Sequence, residues 1–139
     1  MHCSETAKRS RILVVGSDFV HVAELHTALT ADGYLVRSSE SGREALEESK
    51  AWQPEIVIAD GLLADIELSE FCTVLRASGA ASSILVRSRQ QGNIVEVLDA
   101  GADDCLDKRC SIAELKARVR SKLKKVNYQA TAGIHAGGK

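Results

Sequence analysis

No stretch of this sequence is long and apolar enough to span a bilayer, and the first dozen residues are polar and mixed in charge. Neither a membrane helix nor a secretory signal is expected, which points to a cytoplasmic chain with no membrane partner. The four cysteines, Cys3, Cys72, Cys105 and Cys110, form no Cys-x-x-Cys pair. Zinc-site and thioredoxin-type spacings are therefore missing, and free thiols are the expectation. Also absent are a phosphate-cradling glycine loop, a metal-ligand cluster and a nucleophile with an adjacent base; Gly16-Ser17 is too short to be a dinucleotide fingerprint. An enzyme acting on an external substrate is not expected. What is present is 139 residues, 45% of them apolar, enough for one core without disulfides or metal but without room for a second folded domain.

Charge is nearly balanced at a formal −1, but unevenly spread. Between Ile112 and Lys125 stand Lys116, Arg118, Arg120, Lys122, Lys124 and Lys125 against one acid, Glu114, so the remainder of the chain is acidic. Such a run suits a nucleic-acid surface, but no aromatics interleave with it, and cations late in a helix also oppose its negative dipole end. A solvated or subunit-facing helix is the better expectation.

Apolar periodicity alternates between two kinds of element. Arg11–Gly16 is a β-branched run without a polar break, as in a strand covered on both faces. Ser17-Asp18 then offers a helix cap, Val22, Leu25 and Leu29 recur at helical spacing, and Gly33 is a stop signal. Tyr34–Arg37 reads as a second strand. Ser41-Gly-Arg-Glu44 has capping-box form and opens a helix running to about Ala51. Pro54 precedes the strand Glu55–Asp60. Leu68, Phe71, Cys72 and Leu75 mark a third helix, Ser83–Ser88 a fourth strand, and Ile94, Val97 and Leu98 a fourth helix closed by Gly101. Cys105-Leu106 is the fifth strand. Ser111-Ile-Ala-Glu114 repeats the capping box and starts a last helix with the face Ile112, Leu115, Val119 and Leu123.

Five strands alternating with five helices predict an α/β fold, a doubly wound five-stranded parallel sheet with helices on both faces. Residues 1–9 read as an N-terminal tail, 10–126 as the domain, and 127–139, rich in Gly and Ala, as a linker or frayed tail in which His135 is a loop residue. In such sheets the working site lies beyond the strands' C-terminal ends. The polar residues placed there are Gly16-Ser17-Asp18, Asp60, Arg87-Ser88 and Asp107-Lys108-Arg109.

RILVVGSD, PEIVIAD and LDAGADDCLDK, in this order and spacing, resemble the receiver domains of response regulators, the CheY-like flavodoxin-type (βα)5 fold, over about residues 10–126. The GADD segment looks most like the OmpR/PhoB winged-helix subfamily. By that resemblance Asp60 matches the phosphoacceptor and Lys108 the phosphate-contacting lysine. The family's acidic pair, which helps hold Mg²⁺, falls on Gly16 and Ser17, and Asp18 lies one position too late to substitute. Arg87 stands where the family has a Thr or Ser, with Ser88 adjacent. Cys105 replaces the aromatic switch partner, Arg109 the proline after the lysine, and Ala64 and Leu68 the Pro and Gly of the loop after the phosphoacceptor.

The departures imply an atypical receiver: phosphoryl transfer to a carboxylate needs a divalent ion to offset anionic repulsion, and only Asp60 remains as a secure ligand. No cofactor is expected, with Mg²⁺ weak at best. A planar guanidinium can bond a carboxylate at two points, so Asp60, Arg87 and Lys108 are expected to form a standing ion cluster. The resemblance also implies a sensor kinase partner, DNA contact only through an output domain absent from this chain, and a homodimer through helix four, strand five and helix five. Asp103, Asp104, Glu114 and Arg118 resemble that dimer face, with Asp104 of one copy meeting Arg118 of the other. Two other readings stay open: a working phosphoacceptor at Asp60, and a ligand- or redox-sensing module using the rim pocket or Cys105 and Cys110.

Overall fold

A computed structural model describes residues 9–81, 83–88 and 94–124. Of the tails predicted at 1–9 and 127–139, every residue but Arg9 lies outside the described residues, Cys3 and His135 among them. Along the chain run β1 (Arg11–Val15), α1 (Phe19–Ala31), β2 (Leu35–Ser39), α2 (Gly42–Trp52), β3 (Ile56–Asp60), α3 (Leu68–Ser78), β4 (Ser83–Ser88), α4 (Ile94–Asp99) and β5 (Asp104–Asp107). A final helix, α5, occupies 112–124. All strand pairs are parallel and the order is β2-β1-β3-β4-β5, so the direction of winding reverses between β1 and β3.

Ile12–Val15 of β1 and Ile56–Ala59 of β3 are apolar at every position because each face of these strands meets a different helical layer. In β1, Leu13 and Val15 join Phe71, Leu75 and Val97 in a core against α2, α3 and α4. Their neighbours Ile12 and Val14 join Leu25, Leu29, Leu115 and Val119 against α1 and α5. β3 divides in the same way, Val57 and Ala59 to the first core, Ile56 and Ile58 to the second. Each wholly buried Leu or Ile contributes about 1.5–3 kcal/mol, so a one-residue slip of either strand would misplace several such contributions at once.

Helix ends follow the predicted chemistry with one amendment. Asp18 caps α1 by accepting from the His21 amide, and Ser41 and Ser111 accept from the amides of Glu44 and Glu114. The Glu44 carboxylate does not return to Ser41; it accepts from the Glu40 amide, one residue earlier. The second strand lies one residue later than predicted at its start and runs on to Ser39, because its backbone pairs with the whole of β1 despite an exposed, weakly patterned sequence. In α4 only Val97 is buried; Ile94 and Leu98, expected on its inner face, are exposed, as is Val95. Val97 takes the position against the core, and Ile94 and Leu98 flank that contact.

Cys72 is fully enclosed between α3 and the sheet, and burial pushes its thiol up to about 12. We expect this thiol to stay unlabelled by iodoacetamide at pH 8 until the protein is unfolded in urea, as followed by peptide mass spectrometry. Labelling in native buffer at the rate of a free thiol would show that the core opens locally.

Candidate functional site

Three strands each deliver one side chain to the same corner of the sheet. In β3 the alternation that turns Ile56 and Ile58 toward α1 and α5 carries Asp60 to that face at the strand's end. In β4 it carries Arg87, two residues after Leu85, and past β5 it carries Lys108, two residues after Leu106. Register aligns Asp60 with Arg87 and Arg87 with Leu106. Backbone bonds from Gly61 to the Arg87 carbonyl, 2.6 Å, and from Lys108 to the Ser88 carbonyl, 3.1 Å, hold the strand ends together.

Arg87 Nε donates to Asp60 Oδ1 at 2.6 Å and Lys108 Nζ donates to Asp60 Oδ2 at 3.2 Å. The Asp60 and Arg87 side chains are 0% and 4% exposed. Both carboxylate oxygens thus face a cation inside the fold, and the expected cluster of Asp60, Arg87 and Lys108 is brought together. Burial works against the Arg87 charge, but its bond and attraction to Asp60 prevail and hold its pKa above the ordinary value. Two charges removed from water in this way stabilise little in net terms, yet each makes the other's removal costly.

Gly16 closes the corner from the β1 side. A Cβ there would lie 2.7 Å from the Asp60 carbonyl oxygen and 2.9 Å from Val22 Cγ2, so the backbone has room for no side chain in its present position. Ser17 donates to the Leu62 carbonyl. Asp18 is spent on the α1 cap and on His21, 3.2 Å away, and the His21 amide bond holds its carboxyl below the usual range. Ser17, Asp18, Gly61, Ser88 and Lys108 line a cleft of about 430 Å³ over the cluster. Arg109 turns back to chelate Asp107 with Nε and Nη2 and takes no part in the pair at Asp60.

The thiols are arranged differently from the redox-pair reading. Cys105 packs against the core beneath α2–α4 and Cys110 against the core beneath α1 and α5, on the opposite face of the sheet. Burial pushes both thiols up, in Cys110 against an opposing pull from Arg87. Pairing of the two loses its geometric support.

The predicted dimer-face ions are engaged within one chain. Asp103 binds Arg76 of α3 at 2.5 Å and accepts from the Ile84 amide at 2.7 Å, fastening the turn before β5 to β4. Asp104 meets Arg118 of its own chain at 3.1 Å, with Lys122 at 3.8 Å, and Arg118 also approaches Glu114 at 3.9 Å. β5 and α5 are adjacent in the fold, so the Asp104–Arg118 pair expected across two copies also forms within one chain. Lys116 of the basic run likewise meets Asp32. One contributor escaped the sequence reading. Asp65, in the loop after β3, accepts from the amides of Gly42 and Arg43 and caps α2 from 22 or more residues away. Those two bonds hold its carboxyl below the usual range. Local spacing gives no signal for a cap supplied from so far along the chain.

A doubly wound sheet with a carboxylate at the end of its third strand and a lysine just past its fifth defines a class, and comparison with known proteins agrees. Residues 12–120 match the response regulator receiver domain family, and the chain belongs to that family. It is 36% identical over 128 residues to the response regulator MprA of Mycolicibacterium vanbaalenii, covering 91% of this chain and 55% of that protein. With MprA of Mycobacterium ulcerans it shares 35% over 121 residues, 86% of this chain and 52% of the relative. The chain therefore spans about half the length of the curated relatives it matches. Among solved structures, a CheY-like receiver domain protein from Methanospirillum hungatei superposes with a TM-score of 0.82 at 22% identity, over 86% of this chain and 98% of that one. This last likeness speaks for the fold alone.

Proposed function

We propose that this receiver is held in one state by a built-in cation, with Mg²⁺-dependent phosphorylation of Asp60 impaired, and that it works as a non-enzymatic signalling module. The observation that carries the reading is the 2.6 Å bond between the buried Arg87 Nε and Asp60 Oδ1. The guanidinium stands against the oxygen that a phosphoryl group or metal would have to reach. The donor set does not fit Mg²⁺: the family's acidic positions hold Gly16 and Ser17, Gly16 is walled in by Asp60 and Val22, and Asp18 is committed to α1. The reading assigns the chain no cofactor.

Acetyl phosphate with Mg²⁺, followed by intact-mass measurement, tests this directly. We expect no phosphoryl increment on the wild type and none on Asp60→Asn. A stoichiometric increment on the wild type that Asp60→Asn abolishes would restore the rival reading, a working phosphoacceptor.

The remaining partners are drawn from the relatives' description as response regulators: a sensor kinase upstream, and DNA reached through an output domain outside this chain. Homodimerisation through α4, β5 and α5 belongs to the same proposal. With the ion pairs closed internally, its support is the exposed apolar strip of Ile94, Val95 and Leu98 on α4. Sedimentation is expected to show a concentration-dependent dimer that Val95→Asp dissolves. A wild type that stays monomeric at millimolar concentration removes the dimer from the account.

A further inference from the structure

Beside the Asp60 corner, the edge of the sheet carries a second recess, a cleft of about 630 Å³ between the first turns of α1 and the C-terminal end of β2. We propose that it binds a small planar aromatic molecule that is neutral or carries a single positive charge. The volume lies within the range of sites for small organic ligands, about 300–1,000 Å³. One wall is a single face of α1: Phe19, Val22, Ala23 and His26 follow at steps of three and four residues. Phe19 is 75% exposed, a large ring that the fold itself leaves uncovered at the mouth. A flat ligand can stack on it and on Val22 and Ala23, recovering apolar area on both sides.

The opposite wall comes from β2 and the residue after it, Ser38, Ser39 and Glu40. His26 Nδ1 and Ser38 Oγ are 2.7 Å apart and tie the two walls together across the recess. These groups set the chemistry of the ligand. Among the described residues that line the cleft there is no lysine or arginine, and Glu40 is the acid. A carboxylate or phosphate would meet the Glu40 carboxylate with no lysine or arginine to offset it, whereas an amine gains from the same charge. Hydroxyls of Thr27 and Ser38 can satisfy a ring N–H or an amino group.

This recess is separate from the Asp60 cluster but shares backbone with it. Gly16 lines the cleft, and the same residue abuts the Asp60 carbonyl; Ser17 borders both recesses. Binding here calls for no phosphoryl group and stands independently of whether Asp60 is modified. The test is an amide chemical-shift titration of the full chain with three ring-matched probes: tryptamine, indole and indole-3-acetate. Tryptamine is expected to give saturable shifts centred on Gly16, Ala23, Ser38 and Ser39, indole to bind more weakly, and indole-3-acetate about tenfold more weakly than tryptamine or worse. Ala23→Phe, at an exposed helix position, should fill the recess and abolish the shifts, and Glu40→Gln should bring tryptamine and indole to equal affinity. The proposal is overturned if no probe saturates, if the acetate binds as well as the amine, or if the shifts survive Ala23→Phe.

Discussion

Replacing Asp60 by alanine is expected to lower the unfolding free energy by about 3–5 kcal/mol, the loss typical of removing one partner from a buried ion pair. The lost attraction is the smaller part. Arg87 would remain with a side chain 4% exposed and no carboxylate at its Nε, and the fold cannot return it to water without opening the end of β4. Lys108, 11% exposed, lies nearer the surface and can turn outward, so Lys108→Ala should cost about 1 kcal/mol or less. The double change Asp60→Leu with Arg87→Met removes both charges at similar volume, and most of the loss should return. Urea denaturation of the wild type and these three variants checks all of this. If Asp60→Ala stays within about 1 kcal/mol of wild type while the double variant gains nothing, the pair does not hold the corner together.

The fold was legible because its main determinant is written locally. Continuous apolar runs at Ile12–Val15 and Ile56–Ala59 have no stable home except a strand covered on both faces, and the capping serines and glycines punctuate the intervening helices. The Asp60 corner was legible in part: the strand ends place Asp60, Arg87 and Lys108 along one edge of the sheet, while the structure supplies their direction, period two from the buried Ile58, Leu85 and Leu106 turning them to one face and parallel register bringing them level. Elsewhere the missing information was tertiary. That Asp104 also reaches the Arg118 of its own chain depends on how α5 lies along β5, which no spacing reports. The Asp65 cap on α2 and the outward turn of Ile94 and Leu98 likewise follow from where elements end in space. Cys105 and Cys110, five residues apart, looked close enough to pair, but a strand end intervenes and sends them to different cores.

The largest functional change is expected from returning what the corner lacks in the right order. Ser17→Asp by itself adds a carboxylate at the rim of the cleft but leaves Arg87 on Asp60 Oδ1, so labelling of Asp60 by acetyl phosphate and Mg²⁺ should stay at background. Arg87→Thr by itself frees that oxygen, yet on the function proposed above the site would still offer too few acids to retain a divalent ion. Together the two substitutions provide a second carboxylate and an unblocked oxygen, and phosphoryl incorporation should rise by about 100-fold over either single variant. Gly16→Asp is the wrong way to the same end: its Cβ would meet the Asp60 carbonyl at 2.7 Å, so it should cost stability before it gains a ligand. The contrast between Ser17→Asp/Arg87→Thr and Gly16→Asp/Arg87→Thr separates the two obstacles, since only the first leaves the backbone at rest. Wild-type labelling as strong as that of Ser17→Asp/Arg87→Thr would mean that Arg87 never blocked Asp60, and that its bond in the folded chain yields freely to the phosphodonor.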